Sequence, residues 1–171
     1  MRQRLTPLLD HGVECPFEMA VTEIVDQALD RAERDETPLS VILCDIDHLV
    51  AVNLVHGREA GDSLLLQLFV RVCEFVPVED VIWESNRTDL VIVARQHSLA
   101  EAYGLAQKIQ HMVSEQMFWV AQKSIMVTVT LGLATHIPGS GRTTAELMAT
   151  AEELLVDGKA RGPNTLWPIV N

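Results

Sequence analysis

The chain has 171 residues, of which 48% are hydrophobic and 22% are charged, and its formal net charge is −11. This composition fits a globular domain, and the acidity excludes a broad basic face for nucleic acid or anionic membrane. No apolar run approaches the ~18 residues of a membrane span, and no signal peptide follows the N-terminus, so we expect a cytoplasmic protein without membrane insertion.

Hydrophobic spacing predicts alternating helices and strands along the chain. In order, they are a helix over 17–34, a strand over 39–45, a helix from 61 to 76, a hairpin of 80–83 and 90–94, a helix over 98–114, a strand over 125–134 paired with 118–121, a loop over 137–142, a helix over 143–159 and an edge strand over 166–170. Capping boxes at Ser98 and Thr143 mark two of the helix starts. This order predicts one α/β sandwich over 1–171, with a mixed central sheet of about five to six strands and helices on both faces.

Two carboxylates, Asp45 and Asp47, directly follow the apolar run 41–44. Alternation along a strand points both to one face, at a sheet edge where α/β proteins place ligands. The pair is typical of Mg²⁺ held against nucleotide phosphates, because Mg²⁺ prefers one or two carboxylates. A solvated strand end is the alternative. His48 and His56 beside Asp45 would give a different metal site, but no zinc-type spacing favours it.

Three segments and two single residues carry a family resemblance. The segment 39–48 (LSVILCDIDH) resembles the first strand of the GGDEF domain, the diguanylate cyclase fold of bacterial signalling. Asn53 lies eight residues after Asp45, and Asp62 nine after Asn53, both at the family's spacing. Residues 128–134 (TVTLGLA) resemble its T-x-S-x-G-x-A strand, and 158–164 (GKARGPN) resemble its A-K-x-x-G-R-N ending. The similarity covers nearly the whole chain in the right order.

The resemblance implies a fold like the palm of nucleotide cyclases and polymerases. It also implies a reaction in which two facing domains, each with one GTP, form cyclic di-GMP and release pyrophosphate. Asp45 would be the metal ligand, Asn53 and Asp62 would bind the guanine edge, and Lys159 would face the phosphates. Mg²⁺ and GTP are the expected cofactors if binding is retained, because positioning and divalent cations carry most of such catalysis.

The signature hairpin departs from the family pattern. Its five positions hold Asn86-Arg87-Thr88-Asp89-Leu90, without either glycine. Glycine permits close backbone approach to a nucleotide, and Arg87 adds a long cation where GTP would lie. Thr88 places a neutral hydroxyl where the metal-ligating acid stands. Asp89 keeps an acid one residue along, but on a strand it points to the other face.

Other family positions are also changed. The phosphate lysine is Val50, the arginine of the ending is Pro163, and the arginine before the signature is Glu84. The inhibitory R-x-x-D motif has Pro77 in place of its arginine and keeps only Asp80. We therefore expect a degenerate GGDEF domain that has lost catalysis and its inhibitory site.

The retained residues have structural alternatives. Asn53 and Asp62 are also residue types that cap helices, and Lys159 in a last helical turn offsets the helix dipole without a ligand. We also hypothesise that Arg87 pairs with Asp45 and holds the site shut in place of Mg²⁺.

Three functions follow from these residues. The leading one is a non-catalytic regulatory or interaction module in cyclic di-GMP signalling. The second is a divergent active cyclase in which Asp45 and Asp89 hold the metal, and the third is a ligand-free dimerisation scaffold. Expected partners are a second copy, attached or separate signalling domains, and GTP, but not nucleic acid.

Overall fold

The computed structural model describes residues 21–83 and 90–169. The elements are α1 (Val21–Arg34), β1 (Leu39–Ile46), α2 (Leu49–His56), α3 (Arg58–Val72), a 3₁₀ turn (Val78–Asp80), β2 (Val81–Trp83), β3 (Leu90–Arg95), α4 (Leu99–Glu115), β4 (Met117–Val120), β5 (Lys123–Met126), β6 (Val129–His136), α5 (Thr144–Arg161) and β7 (Leu166–Trp167).

A five-stranded sheet with the order β2-β3-β1-β6-β7 forms the centre of the fold. Strand β1 lies in the middle and pairs antiparallel with both β3 and β6, from Leu39↔His136 to Ile46↔Val129 on the β6 side. Strand β7 pairs parallel with β6, so the sheet is mixed. The predicted fold class is confirmed, including the short last strand at the sheet edge.

Helices cover both faces of this sheet, because successive strand residues point to opposite sides. Ile42, Cys44 and Ile46 of β1 join the hydrophobic cluster under α3 and α4. Val41 and Leu43 join the second cluster, under α1 and α5. Asp45 and Asp47 continue the alternation of Val41 and Leu43, so they share one face of the sheet, as predicted, and this is the face that α5 covers.

Helix α5 lies unusually close to β6. A Cβ added at Gly132 would stand 2.6 Å from the Ala151 carbonyl oxygen and 2.7 Å from the Leu155 Cα. A Cβ at Gly158, near the end of α5, would be 3.1 Å from the Thr130 Cγ2. Glycine at 132 thus allows the close approach that brings the last turn of α5 over the end of β1.

The β4–β5 hairpin forms a separate two-stranded sheet that packs on α3. Gln67 donates from Nε2 to the Trp119 carbonyl at 2.8 Å and accepts from the Trp119 N–H at 3.0 Å. The Arg71 guanidinium lies 3.9 Å from the centre of the Phe118 ring, and burial lowers the pKa of Arg71. Phe118 is fully buried, whereas Trp119 is exposed.

Two predicted boundaries are wrong. The helix expected to open at Gly61 begins at Arg58, and α2 before it was not predicted. Helix α2 has no fully buried residue, so its sequence lacks the amphipathic period that marks a packed helix. The strand expected over 125–134 is two strands in different sheets, because β5 pairs with β4 whereas β6 pairs with β1.

The remaining boundaries agree with prediction to within a residue or two, apart from the end of α3, at Val72 instead of Val76, and the end of β7, at Trp167 instead of Val170. Both capping boxes are present, with Ser98 accepting from the Glu101 N–H and Thr143 from the Glu146 N–H. Strands β2 and β3 form the predicted antiparallel hairpin. The turn between them and the predicted start of the first helix lie outside the described residues.

Candidate nucleotide and metal site

Two aspartates stand at the end of β1, below the last turn of α5. Asp45 pairs in register with Thr130 of β6. Beyond the strand, the Asp47 N–H donates to the Thr128 carbonyl at 2.9 Å. Both side chains are half-buried rather than fully solvated. Asp45 and Asp47 are therefore not the side chains of a solvated strand end, which was the alternative.

The Asp47 carboxylate is bonded through both of its oxygens. Thr128 donates its hydroxyl to Oδ2 at 2.6 Å, and Thr130 donates to Oδ1 at 2.7 Å. The Asn164 N–H donates to Oδ2 at 2.7 Å. These bonds connect the end of β1 to β6 and to the loop after α5, so Asp47 has a structural role. Sequence reasoning missed this role, although the alternation of two threonines in 128–130 was a usable signal.

The Asp45 carboxylate binds a lysine. Lys159 donates from Nζ to Asp45 Oδ2 at 2.7 Å, with exposed side-chain fractions of 42% for the lysine and 21% for the aspartate. Lys159 lies in the last turn of α5, as predicted. Lys159 therefore interacts with a carboxylate of this chain, and not with the helix dipole alone.

Asn53 and Asp62 do not cap helices. His48 is the N-cap of α2 and Gly57 that of α3, and neither makes a side-chain capping bond. The capping alternative is therefore wrong for both residues, which lie inside helices.

Asn53 of α2 packs over Gly61 of α3, where a Cβ would collide with its side-chain amide. The Asn53 Oδ1 is buried and accepts no hydrogen bond from the described residues. Asp62 follows Gly61 directly, and its side chain is exposed on α3. A buried amide oxygen without a donor, with a free carboxylate nearby in the chain, suits a ligand that presents N–H groups.

The other candidate positions are structural or lie outside the described residues. Asp80 is buried and forms an ion pair with Arg95, with 3.0 Å between Oδ1 and Nε. Pro77 is exposed just before the 3₁₀ turn, and Pro163 is exposed after α5. Val50 is exposed on α2.

Of the signature, only Leu90 lies among the described residues, where it begins β3 and is fully buried. Asn86, Arg87, Thr88 and Asp89 lie outside them, as does Glu84. The pairing of Arg87 with Asp45 therefore stays a prediction.

The described donors do not fit Mg²⁺. Coordination needs carboxylate oxygens that are free to turn toward the ion, at about 2.0–2.1 Å. Asp47 uses both oxygens for internal hydrogen bonds, and Asp45 is bonded to an ammonium group. Within 21–83 and 90–169, no three His, Cys, Asp or Glu side chains cluster as metal ligands would, so the histidine alternative has no support.

The sequence matches a known domain family over most of its length. The model of the GGDEF family, the diguanylate cyclase GGDEF domain, matches residues 18–165, so the chain belongs to this family. Among the helices of the described part, none combines the length and apolar character needed to cross a membrane.

Curated relatives are longer proteins. A bifunctional diguanylate cyclase/cyclic di-GMP phosphodiesterase, MucR of Pseudomonas aeruginosa, is 29% identical over 157 residues, which cover 92% of this chain and 23% of MucR. The response regulator PleD of Caulobacter vibrioides is 27% identical, over 96% of this chain and 39% of PleD. The chain thus spans well under half the length of these relatives.

Solved structures share the fold. The active GGEEF domain of a diguanylate cyclase from Vibrio cholerae has a TM-score of 0.73 at 21% identity, covering 85% of this chain and 93% of that one. The GGDEF domain of FimX from Pseudomonas aeruginosa has a TM-score of 0.76 at 17% identity, covering 84% and 88%. At these identities the similarity establishes the fold alone.

Proposed function

We propose that this chain is one degenerate GGDEF domain that does not synthesise cyclic di-GMP. It acts as a regulatory or interaction module in bacterial cyclic di-GMP signalling, in the cytoplasm. The observation that carries the proposal is Thr88, a neutral hydroxyl at the position of the second metal-ligating acid. The 2.7 Å bond between Lys159 and Asp45 supports it, because it engages the carboxylate expected to hold the catalytic metal.

The loss of metal binding is sufficient to stop the reaction. Divalent cations stabilise the charge that develops when a phosphoryl group is transferred, by several kcal/mol. Since about 1.4 kcal/mol corresponds to a factor of ten, the rate is expected to fall at least a hundredfold to a thousandfold. A regulatory role needs the fold, and it tolerates that loss.

Two observations support retained nucleotide binding. The Asn53 Oδ1 is buried without a donor, and the Asp62 carboxylate is exposed nearby in sequence. The guanine edge presents N–H donors, which a carboxylate and an amide oxygen accept. GTP is therefore the proposed ligand, read through its base by Asn53 and Asp62.

Incubation of the purified chain with GTP and Mg²⁺, followed by chromatography for cyclic di-GMP, tests the loss of catalysis. We expect no product above a reaction without protein. Product at an appreciable rate would overturn the proposal and favour the divergent cyclase, with Asp45 and Asp89 as metal ligands.

Calorimetric titration with GTP tests the retained site. We expect saturable binding that weakens at least tenfold in Asp62→Ala. Asp30→Ala is the matched control, because Asp30 is an exposed acid on α1, a different helix from the one that carries Asp62. Equal affinities for the two variants would exclude base recognition by Asp62.

The length of the relatives supports a role for this domain within a larger protein. The matched segment covers 23% of MucR and 39% of PleD, so it is one part of a larger protein in both. We propose that the present domain likewise controls an attached or separate signalling domain.

A second candidate function, a dimerisation scaffold, is favoured by α2. Its residues Val50, Leu54 and Val55 are 72%, 82% and 74% exposed, and several large apolar side chains exposed on one short helix favour a protein interface. Light scattering on Leu54→Lys tests this function, with Val156→Lys on α5 as the control for a new charge at an exposed apolar site. A dimer lost only in Leu54→Lys would support the scaffold, and a wild-type monomer would exclude it.

A further inference from the structure

We propose that the Lys159 ammonium is a built-in replacement for the divalent cation at Asp45, so that this domain excludes Mg²⁺ from its own site. The inference rests on the proposed function and assigns a role to Lys159 that differs from contact with phosphates. It concerns metal binding alone, so it is tested without nucleotide and without turnover.

The contact has the geometry of a strong ion pair. The Nζ–Oδ2 distance of 2.7 Å is at the short end of charge-assisted hydrogen bonds. Four fifths of the Asp45 side chain is shielded from solvent, so salt screens the pair less than a surface pair. The ammonium therefore neutralises the carboxylate where a metal ion otherwise would.

The fold holds Lys159 at this place. Helix α5 lies against β6 without room for a Cβ at Gly132, so its last turn has a fixed height above the sheet. The other cation of that turn, Arg161, stacks 3.6 Å from the centre of the Trp167 ring. Of the two cations in the last turn, Lys159 is the one that binds the end of β1.

Within 21–83 and 90–169, a divalent ion at Asp45 finds no second carboxylate that is free to turn toward it. Asp47 accepts hydrogen bonds from Thr128, Thr130 and Asn164, and rotation toward a metal would break them. Of these two carboxylates, Asp45 would then have to bind the ion beside a lysine ammonium, and like charges at such distances repel. Mg²⁺ also requires near-ideal octahedral geometry, which one engaged carboxylate does not provide.

Removal of the ammonium should therefore create a metal site. We would titrate Mn²⁺ alone into the whole chain and follow free Mn²⁺ by electron paramagnetic resonance. The variants are Lys159→Met, the double variant Lys159→Met/Asp45→Asn, and Lys108→Met as a control that removes an exposed cation on α4. Circular dichroism and thermal melting establish that each variant is folded.

We expect no saturable Mn²⁺ binding at millimolar concentration in the wild type or in Lys108→Met. Lys159→Met should bind at least tenfold more tightly, and the Asp45→Asn change should abolish that gain. A folded Lys159→Met that binds no better than Lys108→Met would overturn the proposal.

The wild type supplies a test that does not depend on the folding of Lys159→Met. Saturable Mn²⁺ binding by the wild type that Asp45→Asn abolishes would show that the metal already reaches this carboxylate, and would refute the replacement. Such binding without cyclic di-GMP formation would refute this inference, and the proposed loss of catalysis would then rest on Thr88 alone. Cyclic di-GMP formation in the GTP assay would overturn the proposed function itself.

Discussion

The replacement of Gly132 by alanine tests the contact on which the position of α5 depends. Gly132 lies in β6, and its missing Cβ leaves room for the backbone of α5. An added Cβ would stand 2.6 Å from the Ala151 carbonyl oxygen and 2.7 Å from the Leu155 Cα, whereas comfortable contact needs about 3.5–4.0 Å. The shortfall is roughly 1 Å against each backbone atom.

The loss of stability depends on which atoms the added Cβ would contact. A side chain would change rotamer, but helix backbone yields only if α5 moves as a body away from the sheet. That movement loosens the buried contacts of Leu147, Ala151 and Leu155. Overpacking typically costs about 1–3 kcal/mol, and we expect about 3 kcal/mol here because the neighbours are rigid. The midpoint of thermal unfolding should fall by about 6–12 °C, at about 2–4 °C per kcal/mol for a domain of this size.

Gly104→Ala is the matched control. Gly104 lies inside α4, and a Cβ there would meet nothing within 4 Å. Since glycine in a helix interior is about 0.5–1 kcal/mol less favourable than alanine, this variant should be more stable than the wild type.

Urea and thermal unfolding followed by circular dichroism measure both variants. The same substitution thus has opposite expected signs at two positions. A Gly132→Ala protein as stable as the wild type would refute the close packing of α5 on β6, and with it the fixed height of Lys159 above Asp45.

Three further variants, at Asp47 and Thr143, test side-chain hydrogen bonds. Asp47→Ala leaves the fully buried Thr130 hydroxyl without its acceptor, so urea unfolding should show a loss of about 3 kcal/mol. Asp47→Asn keeps an amide oxygen and should lose about 1 kcal/mol; equal losses would contradict the acceptor role. Thr143→Ala removes the N-cap of α5 and should lower the free energy of unfolding by about 1 kcal/mol. Hydrogen bonds from the Thr143 N–H and hydroxyl also hold the pKa of Glu146 below its ordinary value. These bonds therefore stabilise the folded protein at pH values above the ordinary pKa of Glu146, and this stabilisation is lost as the pH falls through the lower pKa of the folded state. Unfolding at pH values between about 5 and 3 should therefore depend less on pH in Thr143→Ala, and an unchanged dependence would contradict the hydroxyl contribution.

Local patterns in the sequence were sufficient for most of the fold. Alternation placed Asp45 and Asp47 on one face of β1, and the two capping boxes located the starts of α4 and α5. Prediction failed where the local pattern was weak or continuous. Helix α2 has little amphipathic character, and the apolar run over 125–134 hides a change of partner strand.

The sequence indicated the candidate site residues but not their contacts. The sequence indicated Asp45, Asn53, Asp62 and Lys159, and family membership is now shown. It did not indicate that Lys159 would bind Asp45, or that Asn53 would lie inside a helix and pack over α3.

The sequence by itself determined the type of most elements, the face on which each β1 residue lies and the family, because these depend on neighbours within a few positions. Only the tertiary structure decided the bonding state of the two aspartates. Asp47 meets Thr128 across 81 positions, and Asp45 meets Lys159 across 114. Such pairs form because β6 lies beside β1 and a glycine lets α5 approach the sheet. Residues so far apart in the sequence are not related by any local pattern.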